Sequence, residues 1–171
     1  MTETPQSTER MDFRPWRKQE TAAMLSICEQ EEVMRYIDGP WSIERVRGFI
    51  EEEQARLVHE GVCRWAVWQK TDNKLMGFCG FVRREVGLEI GWRFDPLFWR
   101  QGYGYEAARH LVDWAFETRQ ADLIFAKMHV LNTASYLLAE KVGMERTARV
   151  RVAEYDDFRY ELSRDAWNAG R

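Results

Sequence analysis

FDPLFWRQGYGYEAARHLVDWAF, residues 94–116, decides the fold. Asp95-Pro96 turns the chain out of an extended run, and Gly102-Tyr103-Gly104 opens the next element. Ala108, Leu111, Ala115 and Phe116 then recur at helical spacing, which predicts a helix over 103–118. The preceding run, 86–94, alternates. Leu88, Ile90, Trp92 and Phe94 share one side, and Glu89, Gly91 and Arg93 the other, as in a strand with one buried face. A strand that feeds a helix through a glycine turn leaves the N–H groups of the first helical turn free. These donors and the helix dipole stabilise an anion such as pyrophosphate, and glycine lets the backbone approach it closely. Taken alone, the same turn also serves as a plain strand-to-helix connection. The chain has no G-x-x-x-x-G-K-[ST] loop, and Ala107 stands where a dinucleotide fingerprint needs its third glycine.

Downstream, DLIFAKMHV (122–130) reads as a strand that delivers Asn132 to the start of a helix over 133–142, ended by Gly143. Residues 144–163 read as two strands with a turn near Asp156-Asp157. Upstream, VCRWAVWQ (62–69) and LMGFCGFV (75–82) form a hairpin across Thr71-Asp72-Asn73-Lys74. Earlier still come a short strand at 11–16, a helix over 18–29, and a second short helix through Val33, Met34 and Ile37. A third helix is capped by Ser42 and ended by Gly61. Pro15 puts the first strand near an edge or an end. This order predicts an α/β (mixed α+β) fold, a mixed central sheet of about seven strands with helices on both faces. No linker or repeat divides the chain, so 1–171 reads as a single domain with 1–10 as a flexible N-terminal tail.

Composition narrows the function. The 171 residues are 45% hydrophobic and 31% charged, which excludes a disordered chain. Apolar runs fall short of the ~20 residues a membrane span needs, and MTETPQSTER lacks the apolar core of a signal peptide. Twenty-five Lys+Arg against 28 Asp+Glu, a net charge of −3, argue against nucleic acid. Cys28, Cys63 and Cys79 are odd in number and, like His59, His110 and His129, lack metal-ligand spacing. Free thiols in a reducing cytoplasm and no metal are the expectations. Trp65, Trp68 and Trp114 read as core, and Glu51-Glu52-Glu53 as a solvated helix face.

Asn132 has the look of a helix N-cap, and Ser135 sits one turn further on. Together, GLEIGWRFDPLFWRQGYGYEA and NTASYLLAEKVGMERTARVR resemble the GNAT N-acetyltransferase superfamily, in its RimJ/RimL-like branch of protein N-terminal acetyltransferases. MDFRPWRKQETAAML is similar to that branch's opening strand and helix, and TDNKLMGFCGFV to its central hairpin. The superfamily loop [QR]-x-x-G-x-[GA] matches at Gly102 and Gly104, with Trp99 in its first position. Ala139 stands where the superfamily often has a catalytic tyrosine, and Ser135 matches the serine common in the branch.

The resemblance implies acetyl-CoA as co-substrate, no metal, and a primary amine as acceptor, on a protein N-terminus or a small molecule. An antibiotic or polyamine acetyltransferase, and a silent acyl-CoA sensor or partner domain, are the alternatives. It implies pyrophosphate held by the backbone of Arg100, Gln101, Gly102, Tyr103, Gly104 and Tyr105. Pantetheine would pair with Trp92, Arg93 and Phe94 and be fixed by Asn132, while Ser135 protonates the departing thiolate. Glu89 is the candidate base, although alternation turns it away from Trp92 and Phe94 unless a bulge near Gly91 re-aims it. Tyr36 and Trp41 are candidates for the acceptor wall. Acids at Glu29, Glu31, Glu32 and Asp38 would favour a cationic amine, and Arg100 and Lys141 would offset the phosphates. Nucleic acid and membrane are not expected partners, and the protein reads as a monomer or homodimer.

Overall fold

Seven strands form one sheet in the computed structural model, which describes residues 4–171. They are β1 (Met11–Arg14), β2 (Arg64–Gln69), β3 (Lys74–Arg84), β4 (Gly87–Phe94), β5 (Leu123–His129), β6 (Glu145–Val152) and β7 (Tyr155–Ser163). Their spatial order is β1-β2-β3-β4-β5-β7-β6, antiparallel throughout except between β4 and β5. That parallel pair needs a crossover, and α4 (Tyr103–Glu117) supplies it. The remaining helices among the described residues are α1 (Thr21–Cys28), α2 (Glu31–Met34), α3 (Ile43–Glu60), α5 (Thr133–Val142) and α6 (Arg164–Ala169). The mixed sheet and its helices match the architecture expected from the sequence.

Alternation along the strands sorts the core into two layers. On one face Leu88, Ile90 and Phe94 of β4 pack with Ala107, Leu111 and Ala115 of α4 and with Tyr160 of β7. On the other, Phe78 of β3 packs with Met24 and Ile27 of α1, Met34 of α2, and Phe49 and Ile50 of α3. Of the helices in this layer, α1 makes its sheet contacts on β3.

Four local expectations change. The last hairpin turns at Ala153-Glu154, where Val152 faces Tyr155, rather than at Asp156-Asp157. Asp156 lies in β7, accepting hydrogen bonds from Arg149 and Arg151 across the ladder. The helix α6 was not expected. Ser163 caps it by accepting from Ala166 N–H, and Trp167 stacks on Phe116 while donating to Asp113 at 2.7 Å. Glu53 is fully buried instead of solvated, because its turn of α3 faces β2. It accepts from Arg64 N–H at 2.7 Å and from the Arg64 guanidinium at 2.9 Å. Finally, residues 4–10, read as flexible, lie against α4, while residues 1–3 of that stretch fall outside the described part. Arg10 donates to Glu106 at 2.6 Å and to the Gln101 carbonyl at 3.0 Å, with its guanidinium 4.1 Å above the Tyr103 ring. Among the described residues no helix is long and apolar enough to cross a membrane.

Candidate active site

The parallel strands β4 and β5 pair only at Leu88–Ile124 and Glu89–Phe125. Beyond these positions β4 continues to Phe94 and β5 to His129 without further pairing, so the sheet opens into a gap. Asp95 N–H donates to the Met76 carbonyl at 2.8 Å. Antiparallel alternation then turns the N–H and C=O of Arg93 toward β3, and those of Trp92 and Phe94 toward the gap. The crowding at Gly77 agrees, since a Cβ there would sit 2.0 Å from the Arg93 oxygen. The Phe94 carbonyl accepts from Trp99 Nε1 at 2.8 Å. The gap therefore retains the Trp92 N–H and C=O and the Phe94 N–H. Arg93 brings its side chain rather than its backbone.

At the end of β4 the chain turns through Arg100 and Gly102, both left-handed at φ 59° and 82°. Gly102 is the N-cap of α4 and has no side chain to cap it. The first helical hydrogen bond runs from Glu106 N–H to the Gly102 carbonyl, so the N–H groups of Tyr103, Gly104 and Tyr105 precede the helical ladder. Glu106 puts a carboxylate in this first turn, and Arg10 neutralises it. Partial burial would raise that carboxyl's pKa, but hydrogen bonds with Thr8 and Arg10 lower it on balance. Gly104 faces inward, where a Cβ would lie 3.4 Å from Leu138 and 3.8 Å from Phe94.

These features share a cleft of about 740 Å³. Trp92, Arg93, Phe94, Arg100, Gly102, Tyr103, Gly104, Tyr105, Asn132, Ser135, Lys141 and Tyr36 line it. Gln101, Glu89 and Trp41 do not. Asn132 caps α5, its Oδ1 accepting from Ser135 N–H at 3.3 Å. Trp92 Nε1 donates to Ser135 Oγ at 3.0 Å. Because that hydroxyl already accepts, its own proton is free to be donated elsewhere. Tyr36 stacks on His129 at 5.7 Å, joining the segment after α2 to the end of β5.

Glu89 points away from the cleft. The β3–β4 register passes through Gly80–Gly91 with no bulge to re-aim it, and the carboxylate meets Arg84 at 2.6 Å and Lys127 at 3.6 Å. Trp41 lies one layer behind, with the guanidinium of Arg93 4.4 Å from its ring. Of the four acids expected near the acceptor, only Glu32 lines the cleft, and Asp38 is bound by Arg45 and Trp41. Sequence reading missed the indole of Trp92, the side chain of Arg93 and the docking of Arg10. The alternating pattern of β4 does put Arg93 on the opposite face from Trp92, which was the available signal. Among the described residues no group of His, Cys, Asp or Glu side chains converges as a metal site, and the three cysteines are buried and unpaired.

The acetyltransferase (GNAT) domain family matches residues 10–145. The Bacillus subtilis protein YkkB is 29% identical over 149 residues, covering 84% of this chain and 87% of its own. A GNAT-family acetyltransferase from Bacillus anthracis superposes with a TM-score of 0.83 at 25% identity, over 93% of this chain and 98% of that one. The ribosomal L7/L12 alpha-N-protein acetyltransferase RimL, solved with coenzyme A, also superposes at 0.83. At 17% identity, over 96% and 99% of the two chains, it bears on the fold alone.

Proposed function

The chain belongs to the acetyltransferase (GNAT) family, and we propose that it moves an acetyl group from acetyl-CoA to the primary α-amine of a protein N-terminus or a small molecule. One observation carries the reading. An unpaired β4 edge and an uncapped α4 N-terminus meet at one strand–helix junction inside a single cleft. The N–H groups of Tyr103, Gly104 and Tyr105 would hold the diphosphate, with Arg100 and Lys141 supplying positive charge at the cleft wall. The Trp92 and Phe94 backbone would pair with the amides of the pantetheine arm, as an added strand does.

The amine nitrogen attacks the thioester carbonyl, the C–S bond breaks, and the thiolate leaves. A backbone N–H of β4 facing the gap stabilises the developing oxyanion, a contribution of ~3–4 kcal/mol where such donors are removed. Ser135 gives its proton to the thiolate and regains one from the attacking nitrogen, relayed through water, as the amide forms; Trp92 holds the hydroxyl oxygen so that the donated proton points outward. The α-ammonium at a peptide N-terminus has a pKa of about 7.7–8.0 against about 10.4 for lysine, so an acceptor of that kind needs little help to become neutral. We therefore assign its proton to solvent water rather than to Glu89, which is engaged by Arg84 and Lys127.

Incubation with acetyl-CoA and a panel of peptides, amino acids, polyamines and antibiotic amines, followed by mass spectrometry and thiol release, tests the reading. The expected result is one acetyl group gained by an α-amine for each CoA thiol released. Acetyl-CoA binding without thiol release on any amine would instead favour a silent sensor, the possibility that Ala139 raises.

A further inference from the structure

Arg93 is only 8% exposed, and among the described residues no carboxylate lies within ion-pair distance of it. Its Nη1 donates to Cys28 Sγ at 3.3 Å, and its Nε is buried without an acceptor. The third nitrogen, Nη2, is neither hydrogen-bonded nor fully covered, and the residue lines the cleft. No neighbour forms an ion pair with it, and Asp38 acts on it only from a distance. Burial pushes the Cys28 thiol up, so it stays protonated. Asp38 is held by Arg45, and Glu53 by Arg64 and Arg56, so the nearby acids are already matched by cations. Stacking on Trp41 at 4.4 Å and Phe78 at 5.1 Å returns only part of the lost hydration.

A guanidinium buried beside a cleft with donors to spare is built to receive an anion, and its planar fork matches a carboxylate. The CoA phosphates are not that anion. Arg93 lies on the face of β4 opposite Phe94, which packs near Gly104 of α4. Arg93 lines the same cleft as Trp92 and Phe94, while its guanidinium reaches from β4 toward Trp41 and Phe78. A carboxylate on its free Nη2 would hold the acceptor's α-amine in the cleft that the thioester enters.

Resting on the acetyl-transfer reading, we propose that Arg93 binds the carboxylate of the acceptor and that the substrate class is free α-amino acids. Polyamines and peptide N-termini, which lack a carboxylate beside the amine, would be poor acceptors.

The test is kcat/KM for each amino acid as free acid and as carboxamide, at saturating acetyl-CoA. The free acid should be preferred about 100-fold or more, the discrimination expected when a site's polar group is left unpaired. Arg93→Met should bring the ratio near unity, with acetyl-CoA affinity unchanged and Tm unchanged or raised, since an uncompensated buried charge has gone. Should that variant misfold, Arg93→Lys keeps the charge without the fork and should give an intermediate ratio. Equal rates on acids and amides, or faster turnover of peptides or polyamines, overturn the assignment and leave acetyl transfer standing. Wild-type protein that fails to bind acetyl-CoA overturns the acetyl-transfer reading itself, and turnover of no amine at all counts against both.

Discussion

Ser135→Ala lowers kcat about 10²–10³-fold while leaving the Kd for acetyl-CoA nearly unchanged, within the range general acid catalysis supplies. The reason is local. Ser135 stands in the first turn of α5, and Trp92 Nε1 occupies an acceptor site on its oxygen at 3.0 Å. The hydroxyl proton can therefore point only toward another acceptor, and the cleft is where a thiolate would appear. Trp92→Phe keeps the apolar ring but removes the N–H, so the hydroxyl turns freely. Its kcat should fall by about tenfold, again with little change in acetyl-CoA affinity. Steady-state kinetics together with calorimetric titration separate the two quantities. If affinity and kcat fall equally in Ser135→Ala, the hydroxyl positions the cofactor and does not donate to the thiolate.

Gly104→Val weakens coenzyme A binding about 100-fold, a difference of ~2.7 kcal/mol. The Cα of Gly104 faces Leu138 and Phe94, and a Cβ would lie 3.4 and 3.8 Å from them. The branched methyl groups of valine must project into the cleft or push α5 away, and either motion disturbs the N–H groups of Tyr103–Tyr105. Gly104→Ala is the control for folding. Its single methyl meets near-ordinary contact distances, so its Tm should stay close to that of the parent. Calorimetry on both variants reads the affinities. Unchanged affinity in Gly104→Val would remove α4 from the diphosphate site.

Much of this architecture was legible in local chemistry. Alternation over Leu88–Phe94 marked β4, and Ala108, Leu111 and Ala115 marked the inner stripe of α4. Ser42 and Gly61 bracketed α3, where the structure has a capping hydroxyl and a left-handed C-cap. Features that depend on distant partners were less readable. The gap between β4 and β5 exists because pairing stops after Glu89–Phe125, and no residue pattern within either strand announces that. Glu53 sits among other acids and looks solvated until Arg64 of β2 is brought against it. The short α6 is held by Trp167 on Phe116, a contact between residues distant in sequence. Arg93 looked like an ordinary strand arginine until the α1–α3 layer covered it.

The most direct measurement is a crystal structure of the protein with coenzyme A. The expected result is diphosphate oxygens within hydrogen-bond distance of the N–H groups of Tyr103, Gly104 and Tyr105, and pantetheine amides paired with Trp92 and Phe94. Coenzyme A bound elsewhere, with the β4–β5 gap and the start of α4 empty, would contradict it.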